Sequence, residues 1–251
     1  MDYHPEPYWT RVAQEVESRE GANVIAGDDE PYYVYKREKF LALLHELPLE
    51  GKDILEVGPG PGGNLLELSR RAPSRLAGAD ISQEMLRIAR GRIADFVELH
   101  KTDGTELPFG DREFDLVFSA TVLQHNSDDT MMRELLGEMA RVSRAEVILF
   151  EQVDQSITGD ELMRARPIAY YASIMQEYGY RLADHRMIDI IASYYVSGAI
   201  RKVLNPSTRR EGEPLTPLSL ALQRATLPVT RVLDRFVKAE KDLARMRFVR
   251  A

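Results

Sequence analysis

No cysteine occurs anywhere in the 251 residues. Disulfides, thiolate nucleophiles and cysteine-ligated zinc are therefore excluded, and a reducing cytoplasm is the expected location. Long apolar runs are missing as well. The longest weakly polar stretch, Ile188 to Ile200, is broken by Asp189 and two serines and is too short to span a bilayer. The opening MDYHPEPYWT lacks the basic-then-apolar pattern of a secretory signal, and there are no internal repeats or low-complexity tracts. What is present is a globular composition. Hydrophobic residues make up 44%, enough for a core, and charged residues 29%, enough to cover its surface.

Charge is unevenly spread. Residues 1–163 hold 17 Lys+Arg against 32 Asp+Glu, whereas residues 164–251 hold 16 against 8. A basic C-terminal third suits an anionic or lipid-linked substrate, a lipid surface, the acidic half of a partner subunit, or simply a solvated helical surface. Nucleic acid is disfavoured as a partner, because the total is acidic and no aromatic-basic stripe occurs.

Apolar spacing divides the chain. Trp9, Val12, Ala13 and Val16 predict a short first helix. A polar stretch from Glu17 to Pro31 follows, then an aromatic cluster of Tyr32, Tyr33 and Tyr35. Phe40, Leu43, Leu44 and Leu47 predict a second helix stopped by Pro48 and Gly51. From there short strands alternate with helices. The strands are Asp53–Val57, Arg75–Asp80, Phe96–His100, Asp115–Ser119 and Glu146–Glu151; the helices are Leu65–Arg71, Gln83–Ile93 and Thr130–Val142. That alternation predicts a parallel sheet with right-handed crossovers. Farther on come a helix over Pro167–Tyr178, a strand over Tyr180–Ile188, a helix over Ser193–Leu204 and a loop over Asn205–Pro217. One or two helices around Pro228 and a last strand over Ala244–Arg250 complete the chain.

The stretch EVGPGPGGN, Glu56 to Asn64, satisfies two glycine templates. Gly58, Gly60 and Gly63 spell the dinucleotide fingerprint, with Asp80 lying 17 residues beyond Gly63; Gly58, Gly60 and Gly62 spell a tighter repeat behind the acidic Glu56. Both templates need a tight turn and close backbone approach. The prolines separate them. A pyrophosphate cradle uses loop N–H donors, and Pro59 and Pro61 have none. S-adenosylmethionine, which carries no phosphate, tolerates that loss better than NAD. Asp80 ends the second strand, where a carboxylate accepts both ribose hydroxyls; its other use is a helix cap, a role better filled by Ser82. Asp103-Gly104 follows the third strand and suits an adenine edge, or else is an ordinary Asp-Gly turn.

With ILEVGPGPGGN, AGADIS, TDGTELPF and FDLVFSATVLQH in this order, the stretch Lys52–Val153 resembles the class I S-adenosylmethionine-dependent methyltransferases, in particular the small-molecule group related to ubiquinone-biosynthesis enzymes. The resemblance implies an α/β fold: a Rossmann-like, mostly parallel seven-stranded sheet with helices on both faces. It implies an N-terminal helical cap (residues 1–50), a core (51–190), a helical insertion (191–240) serving as lid or dimer contact, and a last core strand (241–251). It also implies that Glu56, Gly58, Gly60 and Gly62 line the methionine and ribose moieties, that Asp80 holds the ribose, and that Asp103 and Gly104 meet the adenine edge. Ile81 or Met85 would meet its face, and Ser119, Ala120 and Gln124 would pass near the reacting end.

A hydroxyl acceptor must lose a proton during attack, and histidine suits that task near neutrality. His125, six residues past Ser119, is the expected base; the alternative is a capping or packing histidine. Glu151 and Asp154 at the end of the fifth strand are expected to orient it, to act as base or to bind a substrate hydroxyl. With Asp128 and Asp129 they also have the donor chemistry of a magnesium site, but no spacing demands one and no metal is expected. His185 is a second base candidate. The expected activity is methylation of a small-molecule hydroxyl, sugar-like or a natural-product intermediate. N-methylation, an NAD-dependent oxidoreductase and a non-catalytic cofactor-binding protein are the alternatives, and a homodimer is one use of the basic insertion.

Overall fold

The structure is a computed structural model that describes residues 5–17, 30–208 and 214–251. The polar stretch after Glu17 and the centre of the Asn205–Pro217 loop lie outside the described residues. The chain forms α1 (Pro5–Glu17), α2 (Pro31–His45), β1 (Asp53–Val57), α3 (Gly63–Ser69), β2 (Arg75–Asp80), α4 (Gln83–Arg90), β3 (Glu98–Lys101) and β4 (Phe114–Ala120). A single 3₁₀ turn over Leu123–His125 follows, then α5 (Asp129–Val142), β5 (Ser143–Val153), β6 (Thr158–Gly159), β7 (Arg164–Ala165), α6 (Ile168–Glu177) and β8 (Tyr180–Met187). Two helices, α7 (Ile191–Leu204) and α8 (Pro217–Leu233), precede β9 (Asp242–Arg250).

Seven strands form one sheet in the order β3-β2-β1-β4-β5-β9-β8. The five strands from β1 to β5 are parallel; β9 runs antiparallel to both β5 and β8. Period-two alternation splits the apolar strand residues between two cores. Leu55, Val57, Val117, Val147 and Leu149 pack with Met132, Leu136 and Met139 of α5 and with Ile174 of α6. Ile54, Leu116, Phe118, Ile148 and Phe150 pack with Tyr32, Phe40 and Leu44 of α2 and with Leu65 of α3. Each such aliphatic side chain contributes about 1.5–3 kcal/mol on burial, so a one-residue register slip exchanges both cores at once. The order reverses at β1, which pairs with β2 on one side and β4 on the other. At such a switch the loops leaving the carboxyl ends diverge and open a crevice.

Three helices extend this frame on the N-terminal and C-terminal sides. α1 lies against α4, where Trp9, Val12 and Ala13 meet Met85 and Ile88. α7 and α8 pair with each other and contact α2. Asp234, directly after α8, caps α7: its Oδ1 accepts the N–H groups of Ala192 (2.8 Å) and Ser193 (3.2 Å), and its Oδ2 the Ser193 hydroxyl (2.5 Å). Those are donors a helix start otherwise leaves unpaired.

The structure sharpens the sequence expectation at several points. The tyrosine cluster and the second helix are one helix, α2, because Pro31 fits its first turn. β3 begins at Glu98 rather than Phe96, whose ring is exposed. Pro228 sits inside an unbroken α8. The β6–β7 hairpin was not anticipated, since each strand is only two residues long. Replacing Asp234 with Ala is expected to lower unfolding free energy by about 1–3 kcal/mol, because the Ala192 and Ser193 donors at the start of α7 lose their acceptor inside a buried seam. Urea denaturation checks this; a change below about 0.5 kcal/mol means that water replaces the carboxylate at no cost.

Candidate active site

The loops after β1, β2, β3 and β4 enclose a cavity of about 410 Å³, a size typical of small-ligand sites. Its floor is the glycine loop. Gly58 (φ 71°), Gly60 (φ 52°) and Gly62 (φ 84°) all occupy the left-handed region, where a side chain is strained. At Gly58 a Cβ would also stand 2.4 Å from Val122 Cγ2. The N–H groups of this loop point into the protein. Gly58 donates to the Ala79 carbonyl (2.8 Å), Gly60 to Asp80 Oδ2 (2.9 Å) and Gly62 to the Pro59 carbonyl (3.0 Å). Pro59 and Pro61 have none to offer. A loop that turns these three donors inward and carries prolines at two further positions has few N–H groups left for a pyrophosphate.

Asp80 lies on the cavity wall, 5% exposed. Its Oδ1 accepts the Ser82 N–H (2.8 Å), so one carboxylate joins the first and second loops. Each oxygen retains a second lone pair for a ligand hydroxyl. Burial raises its pKa, opposed by the Ser82 and Gly60 N–H groups and by Lys101. Glu56 is buried behind the loop. Asn64 Nδ2 donates to its Oε1 (2.8 Å), while Oε2 has no partner. Burial pushes the Glu56 carboxyl up to about 8, opposed by Asn64 and the Arg37 charge. Glu56, expected at the cofactor site, does not line the cavity; its charge lies behind the floor, with a sign that suits S-adenosylmethionine and its ammonium and sulfonium. Ile81, Met85, Gly104 and Met131 form an apolar slot beyond Asp80; at Gly104 (φ 95°) a Cβ would collide with Ile81 and Met131. The donor set, the slot and the floor fit that cofactor.

Other expected positions fall differently. Gly62 is the N-cap of α3 and packs on Ala89 and Ile93 rather than on the cavity. Asp103 is exposed and outside the cavity lining. Its Oδ1 accepts the N–H groups of Thr105 (2.9 Å) and Glu106 (2.8 Å) in an Asx turn, leaving Thr102 and Gly104 on the wall. Ser119 is fully buried and donates to Glu151 Oε1 (3.1 Å), whereas its neighbour Ala120 does line the cavity.

Glu151 is wholly buried beneath the loop after β4. Its carboxylate accepts the N–H groups of Val122 (3.2 Å) and Gln124 (3.0 Å). Burial pushes it up to about 7, opposed by those donors. Its place is behind the wall, holding the segment that carries His125. Thr121 precedes that segment at φ 58°, a conformation that costs a β-branched residue about 1–3 kcal/mol.

His125 itself lines the cavity. Its Nδ1 lies 2.8 Å from the Leu162 carbonyl and its Nε2 lies 3.2 Å from Gln124 Nε2. The Gln124 amide is oriented in turn, because its Oε1 accepts the Gln152 N–H (3.0 Å). A carbonyl only accepts and an amide nitrogen only donates, so Nδ1 carries the proton and Nε2 the lone pair. Trp9 closes over the ring edge-on at 5.0 Å. The carbonyl that fixes the tautomer comes from the β6–β7 hairpin, too short to signal itself in the sequence. His185 stands on β8, outside this cavity.

The carboxylates weighed for magnesium do not converge. Asp128 caps α5 through the Thr130 N–H, Asp129 pairs with the buried Arg166 (3.0 Å), and Asp154 accepts from Gln155 and Thr158. Among the described residues no group of three His, Asp or Glu side chains is placed to hold a metal. Tyr33, Lys36, Phe40, Gln152, Met163 and Leu243 complete the wall away from the glycine loop. Lys36 Nζ is held by Asp242 (2.8 Å), and Arg37 Nη2 donates to the Gly63 carbonyl (3.0 Å). Both cations fall in the stretch where the sequence shows only tyrosines and mixed charge.

Residues 54–146 match the model of the methyltransferase-domain family. Ajmaline N-methyltransferase of Rauvolfia serpentina is 30% identical over 117 residues, covering 44% of this chain and 39% of that protein. O-methyltransferase cnsE of Penicillium expansum is 29% identical over 136 residues, covering 51% and 47%. The chain thus spans less than half the length of these relatives. Among solved structures, the [4+2]-cyclase SpnF superimposes with a TM-score of 0.60 at 18% identity, over 85% of this chain and 80% of that one. A putative sarcosine dimethylglycine methyltransferase from Galdieria sulphuraria gives 0.58 at 16% identity, over 86% and 85%. At such identities the likeness is one of fold.

The Glu56 shift has a consequence for stability. Its folded pKa lies above its ordinary 4.5, so the folded state binds the proton more tightly. The stability this supplies is present at low pH and is lost as pH rises toward 8. Glu56→Gln, neutral throughout, is expected to gain on the wild type between pH 5 and pH 8, by more than about 1 kcal/mol at the upper end without cofactor. Urea unfolding at three pH values measures the gap; one that stays constant with pH shows that Glu56 does not titrate there.

Proposed function

We propose that this chain, whose residues 54–146 match a methyltransferase domain, is a class I S-adenosylmethionine-dependent methyltransferase that methylates a hydroxyl of a small molecule, a sugar, glycoside or natural-product intermediate, with His125 as general base. The observation that carries this proposal is the fixed tautomer of His125 on the cavity wall. The bound cofactor supplies an already activated methyl group on sulfur. What remains for the chain is alignment and proton removal.

Gly58 and Gly60 would line the cofactor's floor, Asp80 would accept its ribose hydroxyls, and Ile81, Met85 and Met131 would pack against its base. Tyr33, Lys36, Phe40, Gln152 and Leu243 shape the space for the acceptor. The Lys36 ammonium favours one that is anionic, lipid-linked or rich in hydroxyls. His125 Nε2 accepts the hydroxyl proton as the oxygen attacks, exchanging its bond from Gln124 for one from substrate. Nδ1–H stays on the Leu162 carbonyl, so the imidazolium that forms is already hydrogen-bonded. Gln124 and Glu151 act through His125 as positioning residues. In the cytoplasm, the expected location, the proton passes to solvent after release.

N-methylation is the second reading, because an N-methyltransferase stands among the relatives. An amine acceptor that arrives neutral needs no base, so the two differ in their dependence on His125. The fold by itself also serves a [4+2]-cyclase, and a chain that binds cofactor without methyl transfer is the third. An NAD-dependent oxidoreductase is disfavoured by the inward-turned loop donors.

Two substitutions separate these readings. His125→Ala is expected to lower kcat about 10²- to 10⁴-fold while leaving S-adenosylhomocysteine affinity within about twofold. Transfer from methyl-labelled S-adenosylmethionine to an acceptor retained on the purified protein gives the rate. Full turnover in the variant would leave alignment alone as the mechanism. Asp80→Ala is expected to weaken S-adenosylhomocysteine binding by more than about tenfold in calorimetry, and unchanged affinity removes the ribose assignment.

A further inference from the structure

The pairing of α7 with α8 is inverted relative to a soluble helix pair. Ser219, Gln223, Thr230 and Asp234, at i, i+4, i+11 and i+15, are buried. They form a polar seam with α7 in which Thr230 meets Ser193 (2.8 Å) and Ser219 meets Asn205 (3.1 Å). The same spacing one residue earlier, Leu218, Leu222, Val229 and Leu233, is exposed, and Phe236 continues it just past the helix end. Leu218 is 64% exposed, Val229 63% and Phe236 80%. An amphipathic helix in water turns the other way.

Charge on this helix has one sign. No Asp or Glu occurs from Pro217 to Leu233, and Asp234 is turned inward onto the start of α7. Arg224, Arg231 and Arg235, at i, i+7 and i+11, form a row beside the apolar stripe. Arg231 bonds Glu38 of α2, whereas among the described residues neither Arg224 nor Arg235 forms an ion pair, and both are exposed. An apolar stripe edged by unpaired arginines, with no acid on the outer face, is the composition of a helix that lies in a bilayer interface. A second copy of this chain fits less well. A standard protein interface needs about 20–30 residues a side, and two such stripes would bring like-charged arginine rows together.

We propose that α8 docks the protein on an anionic lipid surface, with Leu218, Leu222, Val229, Leu233 and Phe236 entering the acyl boundary and Arg224 and Arg235 meeting headgroup phosphates. No helix among the described residues is long and apolar enough to cross a membrane, so the contact is peripheral. α8 also contacts α2, from which Tyr33, Lys36 and Phe40 line the cavity. Docking is independent of which acceptor is methylated.

Co-sedimentation with phosphatidylcholine–phosphatidylglycerol vesicles, against phosphatidylcholine alone, tests the assignment. The expected result is binding to the anionic vesicles that weakens with salt. Val229→Glu and Phe236→Glu should each lower it by more than about tenfold, and Arg224→Ala or Arg235→Ala by about fivefold. All four residues are exposed and outside the cavity, so S-adenosylhomocysteine binding should be unchanged and reports a folded protein. Absence of binding to anionic vesicles overturns the proposal, as does binding that Val229→Glu and Phe236→Glu leave intact. A wild-type dimer in analytical ultracentrifugation that Val229→Glu converts to monomer also overturns it, and assigns the face to a second copy.

Discussion

The cofactor end of the cavity depends on one buried carboxylate. Asp80 accepts the Gly60 N–H with one oxygen and the Ser82 N–H with the other. It therefore sets the distance between the loop after β1 and the loop after β2. Those loops diverge because the strand order reverses at β1, and without a tie nothing in the sheet itself fixes how far they open. Burying an ionised group is expensive unless it is hydrogen-bonded, and both loops provide the bonds. The same acid that fits a ribose diol is thus a structural member first. The small residues around it follow from that tie: Gly58 and Gly60 because the backbone must turn sharply, and Gly78 because its Cβ would meet Leu65 and Pro59 at under 3 Å.

Glu151 repeats the device on the acceptor side. It is buried below the loop after β4 and takes the Val122 and Gln124 N–H groups and the Ser119 hydroxyl. Arg166, fully buried, holds the same loop from its far end through the Leu123 and Asn126 carbonyls (3.1 and 2.7 Å). Between an anionic clamp on the donors and a cationic clamp on the acceptors, the segment from Val122 to Asn126 has little freedom. That constraint offsets the strained Thr121 and lets a chain of neutral hydrogen bonds, Gln152 to Gln124 to His125 to Leu162, define a single tautomer. Removing Glu151 leaves buried N–H donors unpaired and removing Arg166 leaves buried carbonyls unpaired, so each clamp is costly to lose.

β1, β2, β4 and β5 were legible because their centres are buried on both faces and read as short apolar runs, whereas β3 is a partly buried edge strand that begins two residues later than its pattern suggests. The glycine loop and Asp80 were legible for a related reason: a tight turn at a strand end admits few residue types. Asp103 was not, since an Asp-Gly dipeptide serves a bare turn as readily as a ligand, and here the turn holds its carboxylate. Glu151 was recognised as important but its role was not visible, because a strand-end carboxylate faces a ligand or a neighbouring loop according to what packs beside it. The β6–β7 hairpin carries too few residues for any periodic signal. Yet it supplies the Leu162 carbonyl, and so part of the site was beyond pattern reading altogether. α8 shows the opposite case. Its amphipathic period is clear, but period alone does not say which face is inside.

Sign of charge selects the cofactor more sharply than the glycine pattern does. Glu56 and Asp80 are buried beside a floor whose Gly58, Gly60 and Gly62 N–H groups are bonded inward, and burial raises the pKa of both. An anion placed there would face two carboxylates. A ligand bearing a sulfonium and an ammonium instead favours their ionised forms, so its charge and theirs are stabilised together. Lys36 and Arg37 supply the opposite sign on the α2 wall, where a cofactor or acceptor carboxylate would need it. Arg37 reaches the Gly63 carbonyl and opposes the rise in the Glu56 pKa, and Lys36 is paired with Asp242, so both signs of charge meet on this side of the cavity. A cofactor that carries an ammonium and a carboxylate would find a partner for each.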